Sequence, residues 1–192
     1  MKTIILTSAG FNTPALRKEL LRVLPKEPSE LKLAYITTAA KVKENKDFVE
    51  RDRKILCDLG FQFEEVDIED RNSTSLARLF SDKDIIYVQG GDAFYLLKQV
   101  RKSGFCKVVK GLLNRGVIYI GVSAGSYIAC PTIEMAAWRK NDRERYGLNN
   151  FSAMNLVPFL LSVLYNREKY REGVKEGITK AKYPVKILTD DQ

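Results

Sequence analysis

The sequence predicts an α/β fold in which a mostly parallel sheet is flanked by helices on both faces. Strand-like and helix-like segments alternate along the chain, and this alternation is typical of parallel strands joined by crossover helices. Several strand segments are continuous apolar runs, as expected when both faces of a sheet are covered. The 192 residues suit one domain, residues 1–192, since no linker or internal repeat divides them.

Each element follows from the local pattern. Pro14 opens the first helix, at a position that tolerates a missing N–H, and Gly60 ends the second. Residues 61–68 alternate between apolar and polar side chains, as a strand does. We expect strands at 2–8, 31–37, 61–68, 84–89, 116–121 and 185–188. We expect helices at 14–24, 45–59, 75–80, 93–103 and 105–115.

Composition excludes several classes of protein. Apolar residues make up 45% and charged residues 29% of the chain, the balance of a soluble globular domain. No apolar run is long enough for a signal peptide or a membrane span, which predicts a cytoplasmic protein without a membrane partner. Cys57, Cys106 and Cys130 are scattered, which argues against a disulfide framework or a zinc site, and we expect no metal or cofactor. The net charge is +8, but acids interleave with the bases, so we expect no nucleic-acid partner.

A G-x-S-x-G pattern follows the strand at 116–121. Gly121, Ser123 and Gly125 fit the nucleophile elbow, a sharp turn after a central strand that lifts the serine hydroxyl clear of the sheet. The turn would also aim the N–H of Ala124 at a developing oxyanion. The alternative is a Gly-Ser-Gly turn that only connects two elements.

A second unusual stretch follows the strand at 84–89. Gly90 and Gly91 would let the backbone approach a ligand closely. The N–H of Gly91 or Asp92 could supply the second oxyanion donor. The Asp92 side chain could instead cap the helix that follows.

These two motifs together resemble the peptidase E (aspartyl dipeptidase) family, peptidase family S51, which has a class I glutamine amidotransferase-like fold. The resemblance runs over nearly the whole chain and is strongest in residues 87–97, 120–133 and 153–159. It implies a serine peptidase that cleaves after an N-terminal aspartate, with a small peptide or amino-acid-like ligand. The family usually has asparagine where this chain has Asp92, which adds a negative charge and should disfavour an acidic substrate group.

The resemblance also implies roles for individual residues. Ser123 matches the nucleophile. The family's histidine falls at Leu164, and the chain contains no histidine at all. The family's acidic partner falls within 138–142, where the direct match is Trp138 or Lys140, depending on the placement of loop gaps, and Asp142 is the nearest carboxylate.

Leucine cannot take a proton from a serine, so we expect weak or absent peptidase activity. A lysine of lowered pKa is another candidate base, and Lys140 and Lys169 qualify by position. Two further hypotheses stay open: a pseudoenzyme that binds a small ligand or peptide in the retained pocket, and an interaction protein that uses the basic helix at 167–182. A homodimer is left open. Relative to the family, we expect a shortened C-terminus with an unpaired sheet edge after residue 188.

Overall fold

The computed structural model describes residues 2–138 and 144–192. Its main sheet contains five strands: β1 (Ile4–Thr7), β2 (Lys32–Ile36), β3 (Gln62–Val66), β4 (Ile85–Val88) and β5 (Ile118–Val122). The strand order is β1-β5-β4-β2-β3, and every pairing is parallel. The strand that precedes the G-x-S-x-G pattern, β5, is therefore an interior strand.

Helices connect these strands and extend beyond them. They are α1 (Pro14–Val23), α2 (Asp47–Asp58), α3 (Ser73–Leu79), α4 (Ala93–Ser103), α5 (Phe105–Asn114), α6 (Ala124–Ala129), α7 (Glu134–Trp138) and α8 (Glu168–Lys180). A second, two-stranded parallel sheet joins β6 (Leu160–Ser162) to β7 (Val185–Ile187). No helix among the described residues is both long enough and apolar enough to cross a membrane.

Two apolar cores lie on opposite faces of the main sheet. Ile85 and Tyr87 of β4 belong to the core that α1 and α2 cover, whereas Ile86 and Val88 belong to the core covered by α3 to α6. This division follows from the period of two residues in a strand, which sends successive side chains to opposite faces. All four β4 residues are buried, which explains why the segment reads as a continuous apolar run.

The predicted fold class is confirmed, with differences at the margins. The predicted segments correspond to the observed elements, and each predicted end lies within two residues of the observed one, because propensity fixes helix and strand ends poorly. We predicted neither α7 nor β6, which are only five and three residues long and too short to show a period. The strand predicted at 185–188 is present and pairs with β6.

Candidate functional site

Strand register brings three segments together at the carboxyl edge of the main sheet. Thr7 of β1 is aligned with Val122, and Val88 of β4 is aligned with Gly121. The residues that follow these strands therefore converge around Ser123. In open parallel sheets, ligands bind at this edge, beyond the carboxyl ends of the strands.

Ser123 occupies a strained turn between β5 and α6. Its backbone has a φ of 49° and a ψ of −103°, a combination that few L-residues adopt. The glycines of the pattern allow this turn. A Cβ atom on Gly125 would lie 2.1 Å from the carbonyl oxygen of Val88, and one on Gly121 would lie 2.7 Å from the backbone of Gly125. The geometry is that of a nucleophile elbow, as the sequence predicts.

Two buried side chains stabilise this turn through hydrogen bonds to its backbone. The hydroxyl of Ser126 lies 2.7 Å from the carbonyl oxygen of Gly121 and 2.8 Å from that of Thr7. The hydroxyl of Tyr119 donates a 2.7 Å hydrogen bond to the carbonyl of Gly125. These contacts fix α6 against β1 and β5, and sequence reasoning did not identify either residue.

The Gly90–Gly91 segment lies directly beside the turn. A Cβ atom on Gly90 would be 3.2 Å from the Cβ of Ser123. Gly91 has a φ of 148°, and a Cβ there would lie 2.1 Å from the carbonyl oxygen of Ala39. Glycine is required at position 91 by both conformation and space, because the segment passes against the backbone of Ala39 and Ala40.

Asp92 immediately precedes α4 and does not line the cavity in front of Ser123. Its carboxylate accepts hydrogen bonds from the N–H groups of Phe94 and Tyr95 at 3.0 and 2.9 Å. Its own N–H donates to the carbonyl of Ala39 at 2.7 Å. The N-cap alternative is therefore the one observed. The Asp92 N–H is thus taken up by the Ala39 carbonyl and its carboxylate by the start of α4, which leaves Gly91 as the oxyanion-donor candidate of this segment.

Two backbone donors remain near Ser123. The N–H of Gly90 donates to the side-chain oxygen of Gln89. The N–H groups of Gly91 and Ala124 have no hydrogen-bond acceptor within the described part of the chain. Both N–H groups are therefore free to donate to a ligand.

A cavity of about 220 Å³ opens in front of Ser123. Its lining is basic on two sides and apolar or backbone elsewhere. It is lined by Ser8, Ala9, Lys43, Phe48, Arg51, Gln89, Gly90, Gly91, Val122, Ser123, Leu164 and Arg167. A larger cavity of about 360 Å³ lies at the opposite edge of the sheet, beside Asp84 and Val117, where parallel sheets do not usually bind ligands.

Leu164 reaches the same cavity from the far end of the chain. Its N–H donates a 2.8 Å hydrogen bond to the hydroxyl of Ser8. Its φ of 59° is left-handed, a conformation that leucine rarely adopts and that histidine, asparagine and aspartate tolerate better. The structure thus brings Leu164 to the nucleophile turn, although 41 positions separate it from Ser123 in the sequence.

The hydroxyl of Ser123 makes no hydrogen bond to any residue in the described ranges. Lys169 is exposed and holds its ammonium over the ring of Tyr170, so it does not line the cavity. Asp142 and Lys140, the other residues suggested from sequence, lie outside the described residues. Within residues 2–138 and 144–192, no group of three His, Cys, Asp or Glu side chains is placed to hold a metal ion.

A buried polar network includes Gln89, one of the residues that line the cavity. The carboxylate of Asp52 accepts hydrogen bonds at 2.8 Å from the hydroxyl of Tyr87 and from the side-chain amide of Gln89. The same amide group donates to the hydroxyl of Tyr35 at 2.7 Å. Burial raises the pKa of Asp52. We did not predict this network, because Asp52 lies on α2 with no sequence signal to link it to Gln89.

A parallel α/β sheet, a strained serine after an interior strand and two free N–H donors beside it define a serine-hydrolase type of architecture. Comparison with known proteins gives the family. The family model described as peptidase family S51 matches residues 4–192. The chain belongs to peptidase family S51.

Relatives and solved structures agree with this assignment. An uncharacterized peptidase of Listeria monocytogenes is 30% identical over 93% of this chain and 85% of its own. Peptidase E of a Nostoc species is 30% identical over 70% of this chain and 52% of its own. A crystal structure from Listeria monocytogenes EGD-e, designated peptidase E, superposes with a TM-score of 0.87 at 28% identity and covers 99% of this chain and 91% of that one. A peptidase structure from an acI-B1 Actinobacterium shares the fold, with a TM-score of 0.71 at 18% identity, over 99% of this chain and 81% of that one.

Proposed function

We propose that the protein is a peptidase S51-type serine hydrolase homologue whose peptide hydrolysis is weak or absent, with Leu164 at the family's histidine position. The observation that carries this proposal is the environment of Ser123. Its hydroxyl faces a cavity whose described titratable groups are Lys43, Arg51 and Arg167, and none of them accepts a proton while it carries its positive charge.

Such a serine is a poor nucleophile. Near neutral pH a hydroxyl needs a neighbouring base to remove its proton in the transition state. Serine proteases that lose the base but keep the oxyanion donors still accelerate the reaction by roughly 10³–10⁴-fold over water. We therefore expect a small, Ser123-dependent activity rather than efficient turnover.

The second candidate is a pseudoenzyme that binds a small ligand in the retained cavity. The open space in front of Ser123, with two N–H donors and three cationic side chains around it, supports this reading. The two candidates share the same site and differ only in whether a covalent step follows binding.

The test is hydrolysis of p-nitrophenyl acetate, a small neutral ester, by wild type, Ser123→Ala and Leu164→His. We expect wild type to exceed Ser123→Ala only slightly, since surface amines also hydrolyse this ester. We expect Leu164→His to be faster by about 10²-fold or more, the usual contribution of a general base. Wild-type turnover that depends on Ser123 and equals that of Leu164→His would refute the proposal, because another base would then be present.

A further inference from the structure

The cavity in front of Ser123 carries an excess of positive charge. Lys43, Arg51 and Arg167 line it, and no carboxylate is among its lining residues in the described part of the chain. Lys43 and Arg51 approach from the β2–α2 side, and Arg167 approaches from the segment after Leu164. The positive charge has an ion-pair partner on the Arg167 side of the cavity and none on the side of Lys43 and Arg51.

Arg167 already has a partner. Its guanidinium forms an ion pair with Asp190 at 3.2 Å, which offsets the positive charge on that side. Lys43 and Arg51 form no ion pair with any described residue. Their neighbours do: the paired bases in this region are Lys41 with Asp67 and Glu69, Arg53 with Glu50 and Glu65, and Lys54 with Asp58. Lys46 is also without an ion pair among the described residues, but it lines a separate cavity with Glu50, Glu65 and Asp67. Lys43 and Arg51 are the bases of this segment that line the Ser123 cavity without an ion pair.

The nearby buried acid, Asp52, feels the charge of Arg51 but forms no ion pair with Lys43 or Arg51. Asp52 follows Arg51 directly, but it is only 2% exposed, and one carboxylate oxygen is held by Tyr87 and Gln89. A Cβ on Gly10 would lie 2.9 Å from the other oxygen, so backbone covers that side. Its carboxylate belongs to the interior and is not offered to a ligand in the cavity.

We propose that Lys43 and Arg51 form an anion-binding subsite on the β2–α2 side of Ser123, and that the cavity takes a small anionic ligand without a free amino group. This inference rests on the proposed function, since it assumes that the Ser123 cavity is the ligand site. The ammonium group of a free peptide N-terminus would meet two unpaired cationic side chains and no carboxylate among the described lining residues, which is unfavourable. A carboxylate or phosphate meets two unpaired cations.

The size of the cavity agrees with a small ligand. A volume of about 220 Å³ is below the range of roughly 300–1,000 Å³ usual for drug-sized ligands. A four-carbon dicarboxylate or a phosphate ion fits this space better than a long peptide. The apolar side chains of Phe48 and Leu164 leave room for a short hydrocarbon part between the anionic group and Ser123.

The test uses three four-carbon probes that differ in charge. Calorimetric titration of the wild-type protein with succinate, aspartate and succinamide would be done at one fixed ionic strength. We expect succinate to bind, aspartate to bind about tenfold more weakly because of its ammonium group, and succinamide not to bind. A parallel titration with inorganic phosphate distinguishes a phosphate source from a carboxylate source, and binding of either anion supports the subsite.

Variants locate the site. Lys43→Ala and Arg51→Ala should each weaken succinate or phosphate binding by about fivefold, as expected for a partly exposed charge pair. Lys54→Ala removes a base of α2 that is paired with Asp58 and does not line the cavity, and it should leave binding unchanged. Equal or tighter binding of aspartate, an effect of Lys54→Ala as large as the other two, or no binding of either anion would overturn the proposal.

The two proposals fail independently. If neither anion binds but Leu164→His gains ester hydrolysis that depends on Ser123, the subsite is wrong and the proposed function stands. If the anions bind through Lys43 and Arg51 but Leu164→His gains nothing, the subsite stands and the account of the missing base is wrong.

Discussion

Replacing Asp92 tests how much its carboxylate stabilises the fold as the N-cap of α4. Asp92 is 6% exposed, and its carboxylate accepts two N–H groups at the start of α4. Asp92→Ala leaves both donors without that acceptor in a buried position. An N-cap substitution by alanine costs about 0.5–2 kcal/mol, and burial of the donors places this case near the upper end, at about 1.5–2 kcal/mol.

The matched control is Asp92→Asn. Asparagine caps helices about as well as aspartate, so this variant should unfold within about 0.5 kcal/mol of wild type. The alanine variant should lose about 3–8 °C in Tm, since each kcal/mol shifts a domain of this size by about 2–4 °C. Thermal unfolding by circular dichroism, supported by urea titration, measures both changes.

Two results would refute the capping argument. One is an alanine variant within 0.5 kcal/mol of wild type, which would mean that the two hydrogen bonds contribute little. The other is an asparagine variant as unstable as the alanine variant, which would mean that the negative charge matters and the shape of the cap does not.

Three further predictions address packing, burial and protonation. Gly125→Ala should destabilise the fold by about 2 kcal/mol or more through overpacking. Gly111→Ala, in α5 with nothing within 4 Å of the new Cβ, should instead stabilise it by about 0.5–1 kcal/mol. Urea unfolding measures both changes, and equal effects of the two variants would contradict the interpretation of the turn at Ser123 as a tightly packed elbow. Burial raises the pKa of Asp52, so the folded state binds the proton more tightly than the unfolded state. Wild type should therefore lose stability relative to Asp52→Asn as pH rises above about 4. A difference in unfolding free energy between the two proteins that stays constant from pH 4 to 8 would contradict this. Cys57 is exposed and Cys130 is buried with a pKa raised to about 12, so iodoacetamide should modify Cys57 well before Cys130 in the native protein; modification of both at similar rates would show that the α6 region opens.

The fold was predictable because its signals are local and repeated. Each strand of the main sheet is an apolar or alternating segment bounded by a turn residue, and each crossover helix has a regular apolar face. The pairing of β6 with β7 was not predictable, because three-residue strands show no period and their partners are 25 residues apart. The strand order also came only from the structure, since several orders are compatible with the same alternation.

Some residues of the candidate site were also predictable from the sequence, and others were not. Ser123, Gly91 and Ala124 could be predicted, because a strained turn and a close backbone approach demand small residues in fixed positions. Lys43 and Arg51 could not, since an unpaired surface base looks the same in sequence as a paired one. The cap and ligand-contact interpretations of Asp92 could not be separated in advance, because both place an aspartate directly before a helix. The hydrogen bonds seen in the structure separate them.

The most direct test of the central claim, a nucleophile in place without its base, is labelling by a fluorophosphonate probe. Wild type, Ser123→Ala and Leu164→His would be labelled in parallel, the rate read by intact mass and the site by peptide mapping. We expect almost no label on wild type, none on Ser123→Ala, and labelling of Leu164→His at Ser123 whose rate rises with pH around the histidine pKa of about 6.5. Wild-type labelling at Ser123 as fast as that of Leu164→His would contradict the account, because it would mean that another group activates the serine.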